Sequence, residues 1–376
     1  MPRRHGSLAF RPRKRAATQK AVFRSYPEIE SSEVVLAGFP GYKAGMTHVI
    51  MVEDRPGRPT TGQEIAVPST VVETPPVRVI GVRPYVGTPY GLKPLTTYLK
   101  FEITGEIRRS MTLGKREGVL TNEDTVARRI KEGRESVREV RLIVATQPKL
   151  AALPKKKPEI LEIPLKGSTV QERLDRAMEM VGTVVRISDV FKVGQLIDVT
   201  AVTKGHGWQG VVRRFGVELL RHKAGKGRWR VGSLGSRHPP YVTWRVPRAG
   251  QTGYHKRTEY NKRVLLMGLA KYSEEGELIE EAFPDLNPPS GGFTGYGRVR
   301  SDYVLLSGSV PGPAKRFVMM RHPIRPYARD LPEPRIIYVS GVGYLEQILK
   351  ARAEAEEEKA QEAQAVAGEV KVSERH

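Results

Sequence analysis

The sequence predicts a mainly β protein: an all-β barrel with an inserted α/β module and two long basic extensions. Three observations predict it. Short β-branched runs bounded by Gly and Pro recur along most of the 376 residues, which is the spacing of an antiparallel barrel rather than of a parallel sheet. One stretch, 96–183, switches to alternating helix and strand signals. Nearly all of the formal net charge of +22 falls in two stretches that together cover less than a quarter of the chain.

The first basic stretch opens the chain. Residues 1–25 carry eight Lys or Arg and no carboxylate, and residues 1–30 show no hydrophobic period. They predict an extended arm that a partner orders. The first part of the barrel, 31–95, follows, with strand signals at Glu33–Ala37, Met46–Val52 and Val77–Val86. The glycines around Gly45 predict a tight turn.

Within 96–183, Asn122–Lys131 reads as a short helix and Val140–Ala145 as a buried strand. Leu153–Pro158, with three lysines between two prolines, reads as an exposed loop. A second helix opens at Thr169, where Glu172 stands at capping-box spacing. Barrel signals return over 184–203, most clearly at Leu196–Val202.

The second basic stretch, 204–263, holds fifteen Lys or Arg against Glu218 and Glu259. It also holds all three tryptophans (Trp208, Trp229, Trp244) and four of the eight histidines. Neither the helical nor the strand period runs through it, so it predicts an extension without regular structure of its own. Disordered segments are poor in aromatics, so the tryptophans favour a loop ordered against a partner. Strand signals resume over 264–342, at Val264–Leu269, Val304–Leu306, Phe317–Met320 and Ile336–Val339, and complete the barrel. The remainder, 343–376, starts as a helix and turns into an Ala/Glu-rich tail.

Several function classes lose support from these residues. The chain has no cysteine, which excludes disulfides, thiolate metal sites and thiol nucleophiles. No apolar run approaches the ~20 residues of a membrane span, and the basic start lacks the apolar core of a secretory signal. Residues 308–315 echo a phosphate-cradling loop, but Pro313 follows Gly312 where a P-loop has Lys and Ser or Thr. A β-turn presenting Lys315 and Arg316 is the expectation there. His206, His222, His238 and His255 lack the close ligand pairs of a metal site, so no metal and no cofactor is expected. No acid/base pair or nucleophile elbow is visible, and no enzyme is expected.

A polyanion is the natural partner of such a chain, because neutralising phosphates releases condensed counterions. Arginine offers several planar donors to phosphate, and exposed aromatic rings offer faces to unstacked bases. Two rivals remain. An RNA-modifying enzyme with a basic substrate-presenting loop would need a cofactor fingerprint or an acid/base pair. A DNA-compacting protein would spread its charge over a surface.

Four segments carry a resemblance to a known family. They are Pro2-Arg-Arg-His-Gly-Ser-Leu-Ala-Phe-Arg-Pro-Arg-Lys-Arg-Ala16, Asp198-Val-Thr-Ala-Val-Thr-Lys-Gly-His-Gly-Trp-Gln-Gly210, His238-Pro-Pro-Tyr-Val-Thr-Trp-Arg-Val-Pro-Arg-Ala-Gly-Gln-Thr-Gly-Tyr-His-Lys-Arg-Thr258 and Gly308-Ser-Val-Pro-Gly-Pro-Ala-Lys-Arg316. Together they resemble large-subunit ribosomal protein three, the universal L-three family, in its archaeal and eukaryotic form. The resemblance implies a translation-factor-like barrel and a loop threading towards the peptidyl transferase centre, its tip around Arg237–Trp244. It implies a structural constituent of the large ribosomal subunit that binds 23S-type rRNA and supports subunit assembly in the cytoplasm. The implied partners are large-subunit rRNA and neighbouring large-subunit proteins, with no membrane and no small-molecule substrate.

The rRNA-binding candidates follow the two extensions. In the arm they are Arg3, Arg4, His5, Arg11, Arg13, Lys14 and Arg15. At the start of the loop they are Lys204, His206, Trp208, Arg213 and Arg214. Further out they are Lys226, Arg228, Trp229, Arg230, Arg237, His238, Trp244, Arg245 and Arg248. On the return they are Gln251, Tyr254, His255, Lys256 and Arg257, with Lys315 and Arg316 on the later turn. Trp244 is expected at the surface, because arginines and prolines surround it and leave little apolar sequence to bury it.

Overall fold

A computed structural model describes residues 10–99, 107, 109–110, 128–130, 132–151, 153–273, 276–328 and 331–350. In chain order the first strands are β1 (Val35–Leu36), β2 (Gly38–Val52), β3 (Glu64–Glu73), β4 (Val77–Thr88), β5 (Gly91–Pro94) and β6 (Tyr98–Leu99). Next come β7 (Val137–Ala145), β8 (Ile160–Lys166), helix α1 (Val170–Glu179), β9 (Val184–Val185) and β10 (Leu196–Val202). The basic stretch contributes β11 (Gly205–Gln209), helix α2 (Val211–Phe215) and β12 (Gly250–Gly253). The chain then forms β13 (Lys256–Tyr272), β14 (Leu278–Phe283), β15 (Tyr303–Ser307), β16 (Phe317–Arg321), β17 (Ile336–Val339) and β18 (Gly343–Tyr344). The protein is mainly β, as its sequence predicts.

Two sheets divide the body. In the larger, β16, β10, β13, β15, β3 and β2 pair in that order, and β2 pairs again with β16, so these six antiparallel pairings run in a cycle. Phe317 stands opposite Tyr42 and Arg321 opposite Gly38 at the joining pair. Along β10, Ile197, Val199 and Ala201 are buried in the shared core, while Asp198 and Thr200 alternate with them and are also buried. Period-two alternation puts these two sets on opposite faces of the strand, so both faces are covered. Asp198 accepts from the Arg321 guanidinium at 3.0 and 3.2 Å and from the amides of Asn261 and Ile324. A buried carboxylate is tolerated because its charge and its lone pairs are both met.

The second sheet orders β1-β8-β7-β4-β5, with β6 and β9 also on β4. Helix α1 covers it through buried Leu174 and Ala177. Thr169 caps that helix as its sequence predicts, accepting from the Glu172 amide at 3.4 Å. One apolar core runs through both sheets, and Tyr42 and Thr146 share a hydroxyl hydrogen bond at 2.9 Å across them.

The sheets partition the chain differently from the ranges read off the sequence. The second sheet takes Val35–Leu36 and then the chain from Val77 onward, both ahead of residue 96; Pro75-Pro76 follows the ladder of β3 and sends the chain across. Val184 and Val185 pair with β4 in that sheet rather than with the larger one. The stretch 204–263 contains a ribbon, a short helix and the first half of β13, so its lack of sequence period does not mean a lack of regular structure. Residues 256–263 pair with β10 inside the larger sheet. Gly45 lies within β2, not in a turn; a Cβ there would come 2.3 Å from the Phe293 ring. Of the helix expected over 122–131, only 128–130 lie among the described residues, and these are helical. Residues 345–350 are helical, and the Ala/Glu tail from 351 lies outside the described residues.

The described part of the arm, from residue 10, packs along the body. Ala21 and Phe23 are buried. Arg321 lies 4.2 Å from the Phe23 ring centroid and donates to the Ser25 carbonyl. The arm is thus tied to the body at Ala21, Phe23 and Ser25, so this part of it carries packing as well as charge.

Candidate nucleic-acid interface

A two-stranded ribbon carries the basic loop out of the larger sheet. β10 leads directly into β11, and β12 leads back into β13, with Trp208 opposite Gln251 and Gly205 opposite Gly253. Gly253 has φ +71°, and a Cβ there would come 2.0 Å from the Lys204 carbonyl. Only glycine fits this approach. Helix α2 ends at Gly216, a left-handed cap with φ +71°. Beyond a 3-10 turn at His222–Gly227 the chain has no sheet partner until β12.

The arm meets the base of this loop. Ala16 donates its amide to the Tyr254 carbonyl at 2.8 Å. His255 Nδ1 lies 2.9 Å from the Lys14 carbonyl and so must be its donor. Arg214 donates to the carbonyls of Gln251 at 3.0 Å, Arg248 at 2.9 Å and Arg13 at 3.3 Å. Arg13 returns a bond to the Arg214 carbonyl. Three guanidinium groups surround Phe215, with Arg13 at 4.0 Å, Arg214 at 5.1 Å and Arg11 at 5.7 Å from its centroid. Arg11 also lies over Trp244 and donates to its carbonyl. These groups line an open cleft of about 550 Å³ with Val242, Val246 and Arg248.

The electrostatics are those of cations held together without anions. Arg11, Arg13 and Arg214 direct the bonds described above to carbonyls, not carboxylates. Burial, then Arg13 and Arg11, lowers the pKa of Arg214. Burial and Arg13 do the same to Arg257, and burial with Arg24 and Arg321 to Lys256. An approaching phosphate would relieve this repulsion.

The candidates among the described residues fall into four groups. Arg11, Arg13, Arg214, Trp244 and Arg248 come together at the cleft. Lys204, His206, Trp208, Gln251 and Tyr254 lie on or beside the ribbon, and Trp208 is 78% exposed. Arg316 joins them 5.4 Å from the Tyr254 ring, whereas exposed Lys315 has φ +65° in the turn that leads into β16. That turn runs from strand to strand, so residues 308–315 lack the helix of a P-loop. Arg213, Lys226, Arg228, Trp229, Arg230, Arg237, His238 and Arg245 spread along α2 and the outer loop, mostly exposed. Lys14, Arg15, His255, Lys256 and Arg257 lie where the arm crosses the base of the loop; Lys256 reaches the Val22 carbonyl and Arg257 lies 4.5 Å from the Phe10 centroid. Arg3, Arg4 and His5 lie outside the described residues. Among the described residues no three His, Asp or Glu side chains are grouped to hold a metal ion.

Two residues escaped the sequence reading. Phe215 anchors the arginine cluster, and its signal was an aromatic directly after Arg213-Arg214. Lys43 is a buried lysine whose ammonium donates to the Val310 carbonyl at 2.5 Å. Burial and nearby Lys204 lower its pKa. Nothing in the strand sequence around it marks that position.

The family model described as Ribosomal protein L3 matches residues 1–342. Curated relatives named large ribosomal subunit protein uL3 include one from Methanopyrus kandleri, 44% identical over 343 residues, covering 90% of each chain. One from Methanothermobacter thermautotrophicus is 44% identical over 340 residues, covering 90% of this chain and 96% of its own. One from Methanocaldococcus jannaschii is 45% identical over the same shares.

Proposed function

The chain belongs to the ribosomal protein L3 family, and we propose that its arm and ribbon-borne loop act as one rRNA-binding surface. Membership makes it a structural constituent of the large ribosomal subunit. On this reading the partner is 23S-type rRNA, with neighbouring large-subunit proteins alongside it. The loop tip from Arg237 to Trp244 lies close to the peptidyl transferase centre, where it supplies shape and stacking but no chemistry. The basic candidates contact phosphates, while Trp208, Trp229 and Trp244 offer ring faces to unpaired bases. The cycle of six strand pairings supports reading the larger sheet as a translation-factor-like barrel, a rigid base for the loop. The compartment on this reading is the cytoplasm, within the ribosome.

The observation that carries the reading is the cleft where Arg11, Arg13 and Arg214 surround Phe215 beside Trp244, their charge directed to carbonyls rather than carboxylates. Such a site accepts a polyanion with a flat ring more readily than a small acid. Sedimentation of cell extract tests it. The protein should run with large subunits after a high-salt wash, and in competition it should prefer large-subunit rRNA fragments to duplex DNA. Release from the subunit by salt, or equal preference for duplex DNA, would overturn the reading.

A further inference from the structure

The cleft between the arm and the loop is rich in hydrogen-bond donors and poor in acceptors, and that imbalance selects among RNA ligands. Its wall contains four arginines, Arg11, Arg13, Arg214 and Arg248, and no carboxylate. Thr243 is the one wall side chain with an oxygen that can accept a hydrogen bond. The backbone does not make up the shortage. The carbonyls of Arg13, Arg214, Trp244 and Arg248 already accept from guanidinium groups of the same cluster.

Donors remain on two of these arginines. Arg214 directs Nε, Nη1 and Nη2 to carbonyls and serves as scaffold. Arg11 and Arg13 each direct Nη1 to a carbonyl, and among the described residues no acceptor meets their Nε and Nη2. A guanidinium carries its five N–H donors in a planar fork, so each of the two keeps the Nε–Nη2 edge for a ligand. Both groups lie over flat apolar surface, Arg13 at 4.0 Å from the Phe215 centroid and Arg11 at 4.9 Å from that of Trp244.

We propose that this cleft holds one guanine nucleotide turned out of the RNA, an inference that rests on the rRNA reading and sharpens it. Guanine presents two adjacent acceptors, O6 and N7, on one edge, and these match the arginine fork. Adenine sets a donor beside N7, cytosine offers a donor amine, and uracil has O4 alone on that edge. For the donors of adenine and cytosine the wall has only the Thr243 hydroxyl. A base held edge-on by a guanidinium extends the ring-stacked layer across Pro12, Val242 and Val246, and exposed Arg248 meets the phosphate. The cleft, about 550 Å³, has the size of a site for one small ligand rather than for a helix. Extrusion is costly for a paired base, so the natural occupant is a base already bulged or looped out.

The test uses the full-length protein and five fluorescein-labelled RNA hairpins sharing one stem, four with a single bulged G, A, U or C and one without a bulge. Anisotropy should show the bulged G bound at least about tenfold tighter than the other three, the scale of one bidentate guanine contact. A bulged 7-deazaguanine, which lacks N7, should lose most of that gain. The double variant Arg11→Lys/Arg13→Lys keeps the charge but removes the fork, and should level the four bulges. Large-subunit rRNA fragments and duplex DNA are titrated alongside. Equal affinity for the four bulges, with rRNA still preferred to duplex DNA, would overturn the guanine site alone. A guanine preference that survives 7-deazaguanine or the double variant would overturn it too. No preference for rRNA over duplex DNA would overturn the rRNA reading and the guanine site with it.

Discussion

The Arg11 guanidinium lies over the Trp244 indole, 4.9 Å from the ring centroid, and donates to the Trp244 carbonyl across 233 positions of sequence. The arm and the outer loop are thus one surface, and Trp244 is an exposed part of it. At 49% exposure its ring is no core anchor. Trp244→Ala should shift the melting temperature of the free protein by less than about 2 °C, as surface changes do. Purified ribosomes carrying it should nevertheless show altered puromycin-dependent peptide transfer. A large melting loss with normal transfer would make Trp244 a folding residue instead.

Neutralising Arg11, Arg13, Lys14 and Arg15 to glutamine should weaken rRNA binding and flatten its salt dependence. The log–log slope should fall by about 0.7–0.9 for each phosphate contact removed. Binding measured across a salt series decides it, and an unchanged slope would move the interface to the sheet surface. Substitution is a cleaner probe than deleting residues 1–25, because Ala21 and Phe23 in that range belong to the folded body.

Phe23 is a fold residue despite its place in a basic arm. Phe23→Ala should destabilise the protein by about 3 kcal/mol, the scale for emptying a buried aromatic site, measured by urea unfolding. Limited proteolysis of the free protein should cut first within 222–249, where the chain is mostly exposed and without sheet partners. Residues 20–26 should be spared until the body unfolds, and early cleavage there would contradict the packing.

Burial holds the His322 imidazole down at about 4, against an ordinary value of 6.5. The Leu36 and Val190 carbonyls oppose this only partly. The unfolded chain therefore takes up the proton first as pH falls. The stability gained from a neutral His322 is complete above pH 6.5 and is lost progressively down to about pH 4. The loss should reach about 3 kcal/mol. Comparing urea midpoints of wild type and His322→Gln across that window isolates it from the carboxylates, and parallel curves would refute it.

Much of the body was legible in the sequence because its signals are local. Leu196–Val202 and Ile336–Val339 are strands over the expected residues, and Thr169 caps the helix it was expected to cap. The change of sheet between β3 and β4 was not legible, since only pairing in space shows that β4 joins β7 rather than β3. The ribbon of β11 and β12 was not legible because glycines and exposed side chains erase the alternation that marks a half-buried strand. Among the site residues, the basic and aromatic types could be read, but their grouping could not. That Arg13, Arg214 and Phe215 meet depends on how the arm crosses the loop, a relation between residues about 200 positions apart.

The joining of β2 to β16 has a consequence for how the chain comes to be folded. Residues 38–42 meet residues 317–321 at the joining pair, so a fragment ending before Phe317 leaves the cycle open. Contacts this distant are slow to form, because the loop entropy is spent before they stabilise anything. β10 and β13 flank the basic loop and pair with each other, so a nascent chain can build the stem of that loop while the cycle is still open. The order of synthesis thus places the stem of the basic loop before the last seam of the body.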